Sequence, residues 1–371
     1  NFIHKNLNKL NNLLVEKFNS KLQVFKGNPI EIIDKIVKEY NVKEVYTNHD
    51  YEPYAIKRDN FIYNNLKSKK IPFYTFKDQV IFEKNEVLKD NGSPYVVFTP
   101  YMRKWKENLK KNYSVLENNE LCNNFHNLDK YNLKEISEYG FEKNISEVIN
   151  FDVSKKIIEE YEKKRNFPSL NSTSKIGPFL RFGVISIRSL VKYVLKFRNE
   201  TFLNELIWRE FFMQILFHFP NSSTSSFKSK YDNIKWVNDK KMFEAWKNGK
   251  TGFPIVDAGM NELNKTGFMH NRVRMITSSF LCKQLLIDWR WGEKYFAQSL
   301  VDYDVLVNNG NWQWTSGSGA DSQPYFRVFN PWLQSERYDR DCEYIKYWLP
   351  NLEKVENKHL HQWEKFYTQY N

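Results

Sequence analysis

Four short stretches bring together residues whose types can do chemistry. In a segment that reads as helix, Glu205 and Arg209 stand four apart and share a face, with Trp208 at its edge. Alone, that is a surface ion pair beside a core tryptophan. Phe202 and the Phe211-Phe212 pair crowd the same helix with apolar surface, so the pair is expected to be partly buried, and such pairs collect at functional sites. In Met269-His270-Asn271-Arg272-Val273-Arg274-Met275, Asn271 and Arg274 are three apart and can reach one ligand, while Arg272 points elsewhere and suits a phosphate. His270 by itself reads as a structural histidine. Asp302 and Asp304 can cap a helix, and Asn308-Asn309-Gly310 is turn chemistry. Trp312-Gln313-Trp314 beside that turn is costly as packing alone. No metal-ligand spacing or nucleophile elbow accompanies the two aspartates. Asp, Asn and Arg together suit a large planar ligand with several polar edges better than acid–base hydrolysis. Last, Thr173-Ser174-Lys175-Ile176-Gly177-Pro178 sets hydroxyls, N–H groups and a lysine just before a helix, the makings of a phosphate cradle. Hydroxyl caps of this kind are also common at ordinary helix starts.

The elements that must position these residues fall into two classes. In the first 80 residues, Asn28-Pro29 followed by Ile30, Ile33, Val37 and Tyr40 predicts a capped amphipathic helix. It lies between β-rich runs at Leu22–Phe25 and Val42–Tyr46, and a further run follows at Ile71–Phe76. Strand–helix–strand at this rhythm predicts βαβ units in a parallel sheet, with few strands for a whole domain. Residues 85–150 read as a long connection with helical pieces. Beyond residue 151 strand signals nearly vanish: Thr201–Phe219 predicts one helix and Gly267–Trp291 another.

Composition bounds the rest. The chain has 371 residues with 41% hydrophobic and 27% charged, which excludes a disordered tail protein and allows two domains. Aromatics reach 17%, and ten of the eleven tryptophans lie beyond residue 200, an excess that serves cores, stacking surfaces and electron transfer alike. Net charge is +12, of which +4 falls through residue 150 and +8 after it, so a polyanionic partner is expected on the helical part. A solvated basic surface would carry the same charge. Cys122, Cys282 and Cys342 form neither a disulfide framework nor a zinc site, which suits a reducing cytosol. No run is apolar enough to span a membrane.

Taken together, these segments resemble the DNA photolyase/cryptochrome family, nearest its bacterial class I cyclobutane pyrimidine dimer photolyases. The resemblance runs from Tyr161 to about Pro350 through Glu160–Arg165, Leu203–Glu210, Gly252–Ala258, Gly267–Met275 and Asn308–Pro331. The first 100 residues match more loosely, through Tyr46–Glu52 and Val97–Pro100. It implies an incomplete Rossmann-like α/β antenna domain over residues 1–84, a connection over 85–150, and an all-α domain over 151–371 that binds FAD. Tyr161 and the run Thr173, Ser174, Lys175, Ile176 and Gly177 would hold the cofactor's phosphates. Phe202, Glu205 and Arg209 would line the flavin pocket, Asn271, Arg274, Asp302 and Asp304 would bracket the ring, and Asn308 would sit near its N5. Phe202 stands where the family often has Trp, and Gly177 where it often has Ser.

By the same resemblance, Trp312, Trp289 and Trp236 would carry an electron from the surface to the flavin. Trp208 and Trp314 would stack on a flipped-out pyrimidine dimer, with Glu205 bonded to it and Asn308 completing the catalytic set. Arg165, Asn271, Arg272 and Met275 would touch DNA. The implied activity is light-driven repair by reduced FAD, FADH−, acting as a monomer on UV-damaged DNA. A cryptochrome photoreceptor is the alternative, disfavoured by the repair-type identity of Trp208, Trp314, Glu205 and Asn308. A (6-4) photolyase would carry more histidines around Met269–Arg272. The family's opening strand is missing, and the chain is expected to be truncated there and shortened at its C-terminus. That argues against an antenna chromophore, a folate (methenyltetrahydrofolate) or a deazaflavin, for which Asn48 and Glu52 are the candidates.

Overall fold

The structure, a computed structural model, describes residues 1–116, 124–126, 133–142 and 150–370. Its first elements are α1 (Phe2–Phe18), α2 (Pro29–Glu39), β1 (Val45–Asn48), α3 (Pro53–Ser68) and β2 (Phe73–Phe76). Then come α4 (Phe98–Lys111), α5 (Lys155–Lys164), α6 (Gly177–Arg181), α7 (Ile187–Val194), α8 (Glu200–His218) and α9 (Lys240–Lys247). Next come α10 (Pro254–Thr266), α11 (Asn271–Ser279), α12 (Trp289–Ser299), α13 (Val305–Ser316), α14 (Pro331–Tyr338) and α15 (Glu343–Trp348), with the short helices α16 (Asn357–Leu360) and α17 (Trp363–Phe366) after them. Packing divides the chain into one unit of Asn1–Ile81, Tyr113–Asn150 and Phe179–Lys192, and a second of Phe82–Asn112, Phe151–Pro178 and Tyr193–Asn371.

The first unit is built on β1–α3–β2, with the strands parallel and Val45 opposite Phe73. Asn28 caps α2 by accepting the Ile30 N–H at 3.0 Å, and Pro29 takes the first helical position. Val37 of α2 and Ile62 and Leu66 of α3 pack with Val45 and Phe73 on one face of the pair of strands. On the sheet, Tyr46 stacks with Tyr74 at 5.2 Å and with Phe76 at 6.1 Å, all three exposed. Two expectations are corrected here. The strand read from Val42 begins at Val45, and the run Leu22–Phe25 forms no strand. A strand needs a neighbour for its N–H and C=O groups, and no described strand lies beside that run; the Leu22 N–H goes instead to Asn11 Oδ1 at 3.0 Å.

The second unit is helical. α8 is buried along most of its length, as a helix apolar on every side must be, and the chain enters it through Asn199, which accepts the Thr201 N–H at 2.9 Å. The helix α4, which lies within the stretch read as a connection, packs in this unit against α8. The single helix expected over Gly267–Trp291 is also corrected. Gly267 ends α10 with φ 70°, His270 caps α11, and α11 runs into a π-helical turn at Phe280–Gln284. The chain then breaks at Leu286, φ 52°, and Asp288 starts α12 by accepting the Arg290 N–H at 3.0 Å. The π turn reaches out to a neighbouring loop: Lys283 Nζ donates to the Arg327 carbonyl at 2.8 Å and Gln284 Nε2 to that of Phe329 at 2.9 Å. Among the described residues, Cys282 and Cys342 are buried free thiols, whereas Cys122 lies outside them. No described helix is long and apolar enough to cross a membrane.

Two glycines set the helix spacing around the core tryptophans. A Cβ at Gly292 of α12 would lie 2.2 Å from the Trp312 ring, and one at Gly310 of α13 would lie 2.3 Å from Phe212. Ala is the better helix former by about 1 kcal/mol, but overpacking a fixed ring costs about 1–3 kcal/mol. The clash therefore wins. Gly292→Ala is expected to lower unfolding stability by about 1–2 kcal/mol, read from denaturant midpoints; an unchanged or raised midpoint would show that α12 and α13 can separate.

Candidate functional site

The midpoint of α8 carries the first cluster. Glu205 takes its ion pair from Arg165, at the end of α5, rather than from its i+4 neighbour alone as its spacing with Arg209 suggested. Arg165 lies over the Tyr161 ring, 5.3 Å from its centre, and Tyr161 meets Phe202 edge-on at 5.0 Å. Burial, then the Glu205 charge, pushes the Tyr161 hydroxyl well up, so it stays protonated. Burial opposes the Arg165 charge, but Glu205 and Tyr161 more than offset it, and its pKa is raised.

A second cluster forms where α11 meets the turn before α13. Arg274 Nη2 donates to Asp302 Oδ2 at 2.8 Å, and its Nε donates to the Met269 carbonyl at 2.7 Å. Gly177, at the start of α6, lies so close that a Cβ there would sit 3.2 Å from Asp302 Oδ2. Asp304 caps α13 by accepting the Leu306 and Val307 N–H groups at 3.0 and 3.3 Å. The two aspartates thus do different work, which leaves no acid–base pair. Asp302 Oδ1, Asp304 Oδ2 and His270 Nε2 are buried without a described partner. His270 accepts the Arg272 N–H on Nδ1, and burial with Arg274 and Arg272 nearby pushes it down to about 3, so it is neutral. The Thr173–Gly177 run enters through Lys175 with φ 51°; Ser174 and Ile176 are buried and Thr173 is half-buried.

Asn308 is oriented by a residue that sequence spacing did not indicate: its Nδ2 donates to Glu293 Oε1 at 3.0 Å, and Tyr303 reaches the same oxygen at 3.4 Å. Gln313, between the two tryptophans, is occupied. Its Nε2 donates to the Ser222 carbonyl at 2.7 Å and to Asn309 Oδ1 at 2.9 Å, and its Oε1 accepts the Phe227 N–H at 2.8 Å. Trp289 and Trp312 are buried in one apolar cluster against which Trp236 packs. Trp246, not singled out by the sequence, joins them with its ring 6.2 Å from that of Trp312.

Arg272 donates to Asn166 Oδ1 at 2.7 Å and covers the Tyr338 ring at 4.3 Å. Burial, then the charges of Arg165, Arg337 and Arg327, depress its pKa against the pull of Tyr338. Asn271 and Arg274 do not share a protein ligand: Arg274 turns to Asp302, while the exposed Asn271 reaches Met275 Sδ at 4.0 Å. Trp208 and Trp314 are half-buried, and Phe98 of α4 lies flat on Trp208 at 3.7 Å. Phe98 and Glu293 were missed because each meets its partner from a distant stretch, and no periodicity records that.

A parallel α/β unit and a helical unit that carries this cluster of Arg, Asp and aromatic groups suit a protein that binds a large ligand with several polar edges. Comparison with known proteins specifies it further. Residues 1–119 match the family model for DNA photolyase, and residues 202–370 match that for the FAD binding domain of DNA photolyase. A deoxyribodipyrimidine photo-lyase of Alkalihalophilus pseudofirmus is 38% identical over 361 residues, covering 92% of this chain and 75% of that protein. The crystal structure of a class III photolyase from Agrobacterium tumefaciens superimposes with a TM-score of 0.84 at 31% identity, over 98% of this chain and 80% of the other. That of the Sulfolobus tokodaii photolyase, solved with two FAD molecules, gives 0.83 at 34%, over 98% and 82%. The chain belongs to the DNA photolyase family. It is a photolyase-type flavoprotein enzyme with an FAD-binding helical domain. The residues present fit that cofactor. Buried oxygens of Asp302 and Asp304 and the neutral His270 imidazole nitrogen have no described protein partner, with Arg274 bonded to Asp302 and the Arg274 and Lys175 charges near His270, and a flavin dinucleotide supplies polar edges and phosphates for such groups.

Burial pushes the Glu293 carboxyl up from its ordinary value, with the Asn308 and Tyr303 hydrogen bonds opposing. A carboxyl whose pKa is higher folded than unfolded favours the native state at low pH, and that contribution is lost as pH rises through the folded value. Glu293→Gln should therefore gain melting temperature over the parent as pH is raised from about 4 to about 7. A difference that stayed flat across paired thermal melts would refute the assignment.

Proposed function

We propose that this chain repairs cyclobutane pyrimidine dimers in DNA with light, using FAD in its reduced anionic form. The observation that carries the reading is the cationic face. Burial, and then the nearby charges of Arg165, Arg337 and Arg327, depress the Arg272 pKa, and the Arg272 guanidinium lies 4.3 Å over the Tyr338 ring. Like charges gathered at a half-buried site are unfavourable until a polyanion neutralises them, and DNA phosphates do so with release of counterions.

When bound in its reduced form, FAD would supply light-driven one-electron reduction of the dimer, with the electron recovered on ring opening. The protein's part is to hold and orient. Tyr161 and the Thr173–Gly177 run hold the phosphates of the cofactor, with the Lys175 cation. Phe202 and Arg209 line the pocket along α8, and Arg274, Asp302, Asp304 and Asn271 bound the ring. Asn308, its amide fixed by Glu293, presents a neutral group near N5 and cannot act as a proton donor of carboxylic-acid strength. Glu205 bonds the dimer and stabilises the charge that develops there, an electrostatic task suited to a half-buried carboxyl beside Arg165. Trp208 and Trp314 are the stacking surfaces for the flipped-out bases; damaged bases unstack at lower cost than intact ones, which gives selectivity. Arg165, Arg272 and Met275 meet the DNA strand. Trp236, Trp289 and Trp312, gathered in one cluster, pass an electron inward to restore the reduced cofactor.

The direct test is blue-light repair of a thymine-dimer oligonucleotide by purified, chemically pre-reduced protein, followed by recovery of ultraviolet thymine absorbance. Recovery in light but not in darkness is expected. Bound flavin without recovery would move the chain to the photoreceptor reading. Trp208→Ala should weaken binding to the damaged strand by about 1–3 kcal/mol, measured by fluorescence anisotropy. Trp312→Phe should stop photoreduction of oxidised flavin yet repair normally once pre-reduced. Failure of the pre-reduced variant would give Trp312 a role in the repair step itself.

A further inference from the structure

The indole of Trp208 does not present two equal faces. Phe98 lies on one of them with ring centres 3.7 Å apart and planes 6° apart. Phe211 meets the indole edge-on at 5.5 Å, and Phe212 lies beside it at 5.5 Å and 29°. Phe98 is buried while Trp208 is half-buried, so access to the indole comes from the side away from Phe98.

Phe98 is itself held from several directions. It is the first residue of α4, whose N-cap residue, Val97, offers no side-chain acceptor. The missing cap comes from another part of the chain: Asp321 accepts the Phe98 N–H, and the Asp321 N–H returns to the Val96 carbonyl at 3.1 Å. Further along α4, Tyr101 and Trp105 both donate to Glu210 of α8, Trp105 Nε1 at 2.6 Å, and the Phe82 N–H reaches the same carboxylate at 2.9 Å. Phe211 closes the wedge, with its ring edge-on to Phe98 at 5.9 Å and tilted against Tyr101 at 5.4 Å. The neighbours of Trp208 on α8 thereby anchor the helix that carries its stacking partner.

We propose that Phe98 is a positioning residue that backs the Trp208 indole, leaving one rigid face for a single flat base, and that Asp321 and Glu210 set its place. The inference rests on the base-stacking reading of Trp208. An indole clamped in advance has already lost the rotational freedom that a loose one gives up on binding, so clamping shows as tighter association. It discriminates as well: a rigid platform rewards a base already out of the helix and does nothing for one still paired.

The experiment compares binding of damaged and undamaged duplex by the parent, Phe98→Leu, Phe98→Tyr and Trp208→Ala, alongside repair kinetics with pre-reduced enzyme. Phe98→Leu keeps apolar volume but loses the plane. It should weaken binding to the damaged duplex by about two- to tenfold while affinity for undamaged duplex stays put, with the loss larger in KM than in kcat. Phe98→Tyr, which keeps the plane, should restore the parent's preference. Should Phe98→Leu lose its melting transition, Phe98→Met serves in its place. If the leucine or methionine variant keeps the parent's preference while Trp208→Ala loses it, Phe98 does not position the indole. If Trp208→Ala also keeps the preference, the stacking reading of Trp208 falls, and this proposal falls with it.

Discussion

A buried carboxylate must find donors or become a liability of several kcal/mol, and the helical unit is organised around that demand. Glu210, 3% exposed, satisfies it with an indole N–H, a phenol and a backbone N–H drawn from two other stretches of chain. The same solution recurs. Asp257 gathers Thr251 and Gly252, Asp339 gathers the Tyr344 and Ile345 N–H groups, and Glu262 takes the His270 N–H and the Tyr344 hydroxyl. Glu210 and Glu262 tie elements distant in sequence, whereas Asp257 and Asp339 fasten a loop to the helix start beside it. Directed bonds of this kind specify where an apolar helix must lie, which greasy contact alone leaves loose.

Groups that lack partners are equally informative. Away from the site these acids are satisfied, whereas His270 Nε2, Arg272 Nε, Asp302 Oδ1 and Asp304 Oδ2 are left bare within a stretch of α11 and the turn before α13. Native proteins pair nearly all of their buried polar atoms. Other such atoms are scattered along the chain, but the carboxylate oxygens and the imidazole nitrogen here suit a ligand with many polar edges, and FAD is such a ligand.

Much of this was legible from residue types and spacing. Asn28-Pro29 marked the start of α2, the run from Thr201 marked α8, and the strand–helix–strand rhythm marked the parallel pair β1 and β2. What failed were features that depend on a partner elsewhere. Leu22–Phe25 has strand composition but no neighbouring strand, and Gly267–Trp291 has helical periodicity interrupted by the His270 and Asp288 caps and the backbone at Leu286. Arg274, Asp302 and Asn308 could be singled out by type and spacing, but not the residues that meet them. Arg165 is 40 residues from Glu205, and Phe98 lies over a hundred from Trp208. Local pattern records a side chain's face, whereas only the folded chain records what meets it.

The π turn at Phe280–Gln284 constrains the length of the chain more than its composition. Each residue of a helix advances the phase by about 100°, so one added or removed there would swing Lys283 and Gln284 away from the carbonyls of Arg327 and Phe329 that they hold. Substitution at one of these positions costs a hydrogen bond, whereas an insertion or deletion there takes both side chains off their carbonyls at once. Over evolutionary time this segment can drift in letters far more readily than in count.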